Sequence, residues 1–476
     1  MEWFTAPEYW QGRLIFQRGL AVVYALAFLG AALQFRALLG ERGMLPVPRY
    51  LARTPFRRSP SLFHLHYSDR FYAVLAWSGA VLAVAIAAGV ADLVPLWASM
   101  ALWFALWALY LSIVNVGQAW YSFGWETLLL EAGFLAIFLG NDTVAPPLLV
   151  LLAARWLLFR VEFGAGLIKM RGDRCWRDLT CLYYHHETQP MPGPLSWFFH
   201  HLPRPLHRVE VAANHVAQLI VPFGLFAPQP VASVAAGIII VTQSWLVISG
   251  NFAWLNWVTL LLATTAVSAY PALPDAPAVA EPPRWFLGAV LAFVAMVVVL
   301  SFWPVRNLLS ARQAMNASFE PLHLVNTYGA FGSITRVRHE IVLEGTDATH
   351  LEPDTVWREY EFKGKPGALR SRPRQWAPYH LRLDWLMWFA ALSTSYARSW
   401  ALPLVIRLLD NDPDTLRLLR HCPFPDTPPR YLRARLYEYH FSTPAELFRE
   451  RIWWRRTLIG EFLPPLNRER LERRRQ

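Results

Sequence analysis

The sequence predicts an α-helical polytopic membrane protein of about eight or nine transmembrane helices. A C-terminal water-facing domain of mixed α/β structure, with a small antiparallel β-sheet, follows. Three observations carry this. Of the 476 residues, 55% are hydrophobic. Apolar runs of about 20 residues, the length that crosses a bilayer, recur over the first 300 positions. From about Ser310 the runs stop, and arginine, proline and charge rise. The reading divides the chain into 1–309, a multi-pass helical domain with an extramembrane loop over 170–210, and 310–476, the soluble domain.

Taken in order, the predicted spans are 14–35, 71–91, 93–114, 121–139 and 147–169, then 211–227, 231–248, 252–270 and 285–303. The first is long and lacks a small-residue cleavage pattern, so it reads as an anchor and not as a signal peptide. The loop 36–70 holds seven arginines. Segment 170–210 is polar and rich in proline, which forbids one continuous helix. Its Trp197, Phe198 and Phe199 suggest a re-entrant or interfacial helix. Residues 271–283 form a proline-rich loop. In the tail, "VNTYGAFGSITRVRHEIVLEGT", "VWREYEF" and "RARLYEYHF" alternate as strands do. "LRLDWLMWFAAL" (381–392) reads as an amphipathic helix, and "DPDTLRLLRHC" as a helix capped by aspartate.

The net charge of +11 suggests anionic lipid headgroups as a partner. With no zinc-finger spacing and no helix-turn-helix pattern, nucleic acid is not expected. Nine spans put the loops 36–70 and 170–210 and the tail on one side. The positive-inside tendency would make that side cytoplasmic.

The fifth span holds the most chemistry. Arg155, Glu162 and Lys169 are spaced by seven, about two turns, so they share one face. Ionisable groups at membrane depth are costly unless paired or wet, which makes this row a candidate catalytic face. The plainer reading is that Arg155 and Lys169 snorkel at opposite ends. Only Lys169, Lys363 and Lys365 are lysines among 45 basic residues. Lysine can lose its proton when desolvated and arginine effectively cannot, so Lys169 is a candidate base. In the fourth span, Glu126 and Glu131 are too far apart around the helix to share a face, and are expected to bond neighbouring helices.

Cys175 and Cys181 are six apart. On a straight helix they would lie about 9 Å apart along the axis, beyond disulfide reach. Pairing needs a turn, for which Gly172-Asp173 is the candidate; two separate buried thiols are the favoured reading. The spacing is not CxxC. His185, His186 and Glu187 form a polar cluster that could ligate a metal. Neighbouring histidines in a loop rarely do, and His200, His201, His207 and His215 add no spacing pattern, so no metal site is expected.

The segments "WETLLLEAGFLAIFL", "RWLLFRVEFGAGLIKMRGDRCWRDLTCLYYHHETQPMPGPLSWFFHHLP", "NFAWLNWVTLLL", "LVNTYGAFGSITRVRHEIVLEGT", "WREYEFKGKPG" and "APYHLRLDWLMWFAAL" resemble the lipase maturation factor family. The resemblance runs in order from about Gln11 to Pro464. It implies a membrane-embedded folding or maturation factor, not an enzyme, whose partner is a secreted client such as a lipase. Animal members act in the endoplasmic reticulum. The resemblance places the tail in the lumen, or in the periplasm of a bacterium, against the charge argument; large domains translocate despite their charge. The arginine-rich composition points to a bacterial cell membrane.

More distantly, "FGAGLIKM" is similar to the "AGxxK" helix end of the vitamin K-dependent carboxylase, whose matching lysine is the base for the reduced quinone. This implies an alternative: a quinone-linked or carboxylase-like membrane enzyme using Lys169 with a Cys175/Cys181 thiol pair. Quinone is the one cofactor suggested. Transport ranks last, because no internal repeat of the transporter kind is visible.

Overall fold

A computed structural model of the chain describes residues 3–268 and 279–473. The predicted proline-rich loop lies mostly outside the described residues, as does the end of the eighth predicted span.

The N-terminal part is a bundle of apolar helices. They are α1 (Trp10–Leu38), α2 (Asp69–Ala88), α3 (Leu96–Val116), α4 (Gly124–Ala136) and α5 (Leu148–Arg171). After a loop come α6 (Leu182–Thr188), α7 (Arg204–Leu219), α8 (Val231–Ser249), α9 (Leu255–Thr264), α10 (Arg284–Leu300) and α11 (Phe302–Leu309). Start signals match local chemistry. Ser68 accepts a hydrogen bond from Phe71 N at the head of α2, and Gly89 closes that helix at φ 107°, a conformation that suits a residue without Cβ.

Among the described residues, six helical stretches are long and apolar enough to cross a membrane: Pro7–Leu38, Asp69–Ala88, Leu96–Val116, Arg204–Phe226, Val231–Ser249 and Arg284–Leu309. The predicted spans 121–139 and 252–270 contain helices of only 13 and 10 residues. Both are packed inside the bundle, where apolar character reflects burial in protein and not contact with lipid. The predicted fifth span is α5, 24 residues long, and it carries Arg155, Arg160, Glu162 and Lys169, all buried. The multi-pass class stands.

The C-terminal part is built on a four-stranded antiparallel sheet of β1 (Arg338–Thr346), β2 (Arg358–Glu359), β3 (Tyr431–Phe441) and β4 (Trp454–Leu466), in the order β2-β1-β3-β4. Glu340 faces Tyr437 and Leu343 faces Ala434 in the β1–β3 register. Helix α12 (Arg382–Leu392) forms where expected, but it is not amphipathic. It lies between β1 and the turn Gln118–Tyr121, and eight of its 11 residues are buried. Asp412 does cap a helix, accepting from Thr415 N, yet that helix is only Pro413–Leu416. The chain then turns extended and Leu419–His421 pairs with Glu361–Phe362.

The C-terminal part is fastened to the bundle by buried ions. Arg160 on α5 pairs with Glu131 on α4 and donates to the Asn326 carbonyl at 2.5 Å. Tyr328 donates to the same glutamate at 2.7 Å. Arg382 pairs with Glu126 at 2.5 Å, donates to Trp120 O at 2.8 Å, and lies 3.4 Å from the centroid of the Tyr121 ring. Tyr110 on α3 donates to the other oxygen of Glu126 at 2.5 Å. Burial first, and the Arg382 cation second, push His380 down to about 4. It is therefore neutral, and its Nδ1 accepts from the Trp125 indole at 3.4 Å. Both glutamates of α4 thus bond neighbours as expected, and each reaches the C-terminal part.

Candidate functional site

The charged face of α5 faces protein. Glu162 Oε1 accepts from Gln243 on α8 at 2.6 Å, and Gln243 accepts from Asn256 on α9 at 2.6 Å. Lys169 donates to Gln218 at 2.7 Å and to Asn214 at 3.0 Å, two residues one turn apart on α7. Its ammonium lies 5.0 Å from the Trp176 ring centroid. Arg155 does not join this row. It donates to Leu225 O at 3.3 Å and sits 4.7 Å from the Tyr9 ring centroid. All three side chains are buried, so the snorkelling reading is overturned for both ends. Glu162 and Lys169 are met by neutral side-chain amides, while Arg155 has one carbonyl and a ring and keeps its Nε and Nη2 unpartnered; among the described residues no ion pair joins Glu162 to Lys169.

Lys169 leads directly into the extramembrane loop. Asp173 accepts from Cys175 N at 3.0 Å, opening one turn of helix over Arg174–Arg177. Two donors from Arg336, at 2.8 and 2.9 Å, hold the Asp173 carboxyl at about 2. Cys175 and Cys181 form a disulfide, with Cα atoms 4.8 Å apart. This corrects the expectation of two separate thiols. The turn that allows it is not at Gly172-Asp173 but at Leu179, which adopts φ 59° while Thr180 N returns to Cys175 O at 2.8 Å. The disulfide packs with Trp176, Leu182, Val211 and Ile334, joining the loop to α7 and to the chain leading into β1. By chain entropy, closing this short loop contributes about 2 kcal/mol. The double variant Cys175→Ser/Cys181→Ser is therefore expected to be less stable by that amount and to be cut faster by protease within 172–203. Equal cleavage of variant and wild type would contradict this.

His185, His186 and Glu187 on α6 do not converge. His185 packs edge-on to Phe331, with centroids 4.9 Å apart, and burial first, then Lys169, pushes it down to about 3. His186 points the other way, toward His207. Glu187 turns to β3, where it accepts from Phe441 N at 2.6 Å and lies 3.2 Å from His440 Nδ1. The hydrogen bond to Glu187 raises His440 to about 9 against its own partial burial, and Glu438 at 2.7 Å adds to it. A histidine whose folded-state value exceeds 6.5 stabilises the fold fully below that pH, and loses the contribution as pH rises through the higher value. Protease resistance of the loop is thus expected to fall between about pH 7 and pH 9 in the wild type. His440→Gln should remove that dependence; an unchanged profile in the variant would count against it.

The residues that fix the loop against the C-terminal part were not singled out by sequence. Arg338 on β1 uses all five N–H groups: Glu187 O at 2.9 Å, Gln189 O at 2.5 Å, Pro190 O at 3.0 Å, and two bonds to Glu340 at 2.9 and 2.5 Å. Lys365 stands 2.8 Å from the other oxygen of Glu340. Asn251, after α8, donates to Arg374 O at 2.9 Å and accepts from Trp376 N and Ala377 N at 2.7 and 2.8 Å. The predicted interfacial helix is a five-residue turn, Ser196–His200. Its Trp197 is buried and donates to Ser442 O at 2.9 Å, so it seats on β3's end, with Phe198 left half exposed. The one available signal was polar residues such as Gln243, Asn251 and Asn256 inside apolar runs.

These features define a class: a multi-pass membrane protein whose disulfide-bearing loop and C-terminal sheet are bolted to its helices by buried charge. The family described as "Lipase maturation factor transmembrane domain" matches residues 11–271, and "Lipase maturation factor C-terminal domain" matches residues 324–464. The chain belongs to the lipase maturation factor family. It is 43% identical to lipase maturation factor 1 of Bos taurus, covering 98% of this chain and 91% of that protein, and 41% identical to lipase maturation factor 1 of Homo sapiens, covering 97% and 89%. Lipase maturation factor 2 of Rattus norvegicus is 29% identical over 95% of this chain and 82% of its own length. No solved structure matches.

Proposed function

We propose that this protein is a membrane-embedded maturation factor for secreted lipases, acting on the extracytoplasmic side. The observation that carries the reading is the collinear likeness to proteins named lipase maturation factor 1 across nearly the whole chain. In this reading 1–309 is the membrane domain and 310–476 is the client-facing domain. The disulfide supports the orientation, because such bonds persist in oxidising compartments, and the loop that holds it is bonded to the C-terminal sheet through Arg338. A bacterial cell membrane, or the endoplasmic reticulum membrane for animal relatives, satisfies that requirement. On the client side, β4 is an edge strand of 13 residues with Leu458 and Ile459 exposed. An open edge can accept an unfolded segment as an added strand.

In the same reading Arg155, Glu162 and Lys169 hold helices together and do no chemistry. Nothing observed favours the carboxylase-like alternative, and the cysteines it needs as thiols are bonded to each other. Lys169→Met leaves the buried amide oxygen of Gln218 and the half-buried one of Asn214 without this donor, a loss of about 1–3 kcal/mol. The variant is expected to be less stable and yet to mature as much lipase per folded molecule as the wild type. A well-folded Lys169→Met protein that matures none would establish the enzymatic reading instead.

A further inference from the structure

We propose that His186, His207 and Glu210 form a zinc site at the junction of the extramembrane loop and α7. Their ligand atoms all lie within 4.8 Å of one another. His207 and Glu210 are three residues apart on α7 and so share its face. His186 comes from α6, some 20 positions earlier in the chain. Two imidazoles and one carboxylate are a zinc donor set, with a fourth position for water. Bonds of about 2.0–2.2 Å require small side-chain rotations to draw the three donors together.

Independent features point to a ligand here. His186 is 2% exposed, and neither of its ring nitrogens has a hydrogen-bond partner. Buried polar groups are almost always satisfied, so an imidazole with two idle nitrogens calls for an explanation. His207 is also 2% exposed, and its Nδ1 is likewise unpartnered, while its Nε2 lies 3.4 Å from His200 O. A backbone carbonyl can only accept, so Nε2 carries the proton and Nδ1 presents its lone pair to the cluster. Metal-bound histidines are held in this way by a second hydrogen bond. Glu210 is held likewise: Trp245 donates to its Oε1 at 2.7 Å, leaving Oε2 for a cation. Phe199 stacks on His186 and packs edge-on against Trp245, centroids 5.5 and 4.9 Å away, so an apolar wall backs the site. Glu210 is the least buried of the three and marks the side from which an ion enters.

Sequence spacing does not reveal this trio, because His186 adjoins His185 and Glu187, which face elsewhere. Bound zinc would tie α6 to α7 beside the disulfide, adding a second cross-link to the same loop.

The test uses the full-length chain in detergent, purified without a polyhistidine tag and stripped with chelator. After equilibration with zinc and desalting, elemental analysis is expected to find one zinc per chain. His186→Ala and Glu210→Gln should each weaken zinc binding about tenfold or more, and His201→Ala, outside the trio, should not. Cobalt gives a second readout: its visible bands should report a tetrahedral nitrogen and oxygen environment that Glu210→Gln alters, with near-ultraviolet dichroism confirming that the variant is folded. Zinc content equal in wild type and His186→Ala/His207→Ala/Glu210→Ala, or a cobalt spectrum indifferent to the folded Glu210→Gln variant, would overturn the proposal.

Discussion

Arg382→Met is expected to destabilise the protein by about 3–5 kcal/mol, the cost of stranding a buried charge. Glu126 is wholly buried on α4, and its countercharge arrives from α12, 256 positions later. The same guanidinium holds the Trp120 carbonyl and covers the Tyr121 ring, and its own backbone N–H donates to Gln34 on α1 at 3.2 Å. Removing the guanidinium therefore loosens α4 and the Gln118–Tyr121 turn from the C-terminal part at once, while the backbone bond to Gln34 remains. The double variant Arg382→Met/Glu126→Gln is expected to recover much of the loss. A neutral pair leaves no unpaired charge, and the carbonyl oxygen of the introduced glutamine can still accept from Tyr110. Thermal unfolding in detergent across the four-member cycle measures this. A single Arg382→Met variant within about 0.5 kcal/mol of wild type would contradict the account of how the two parts are joined.

Arg338→Met is expected to cost a similar amount, about 3–5 kcal/mol, but to act at another place. It removes five hydrogen bonds, three of them to loop carbonyls that no other described side chain reaches. Glu340 would keep Lys365 alone. Hydrogen exchange is expected to rise at residues 187–190 and along β1, with α1 to α3 unchanged. Arg338→Lys should not rescue it: an ammonium has three donors on one atom, and cannot span carbonyls that a planar fork with five donors reaches. Full protection restored by lysine would show that charge alone, not the fork, seats the loop.

Much of the architecture could be read before the structure, and the failures have physical causes. Long apolar helices such as α2 and α8 lie where hydropathy put them, because length and composition alone decide them. The helices α4 and α9 read as spans because burial in protein and burial in lipid select the same residues. The row on α5 was visible from its spacing of seven. Its partners were not, since Asn214, Gln218, Gln243 and Asn256 come from three other helices and their pairing is tertiary. Arg155 left the row because its neighbours there are the Leu225 carbonyl and the Tyr9 ring. Strand β4 is hidden because Pro464 and Pro465 sit within it, and proline is tolerated in a strand at an edge or a bulge; β4 is an edge strand whose register shifts between Leu463 and Leu466, features that sequence does not disclose. The turn that closes the disulfide rests on Leu179 at positive φ, where no glycine or asparagine marks the site.

The central claim is that this chain performs lipase maturation through a C-terminal sheet held on a membrane scaffold. It is tested most directly in animal cells lacking lipase maturation factor 1 and producing a secreted lipase, with this protein supplied in the endoplasmic reticulum. The account predicts that the full chain restores active secreted lipase, and that Arg338→Met, expressed to the same level, does not. A full-length protein, folded and correctly located, that leaves lipase activity at the level of the deficient cells would contradict it.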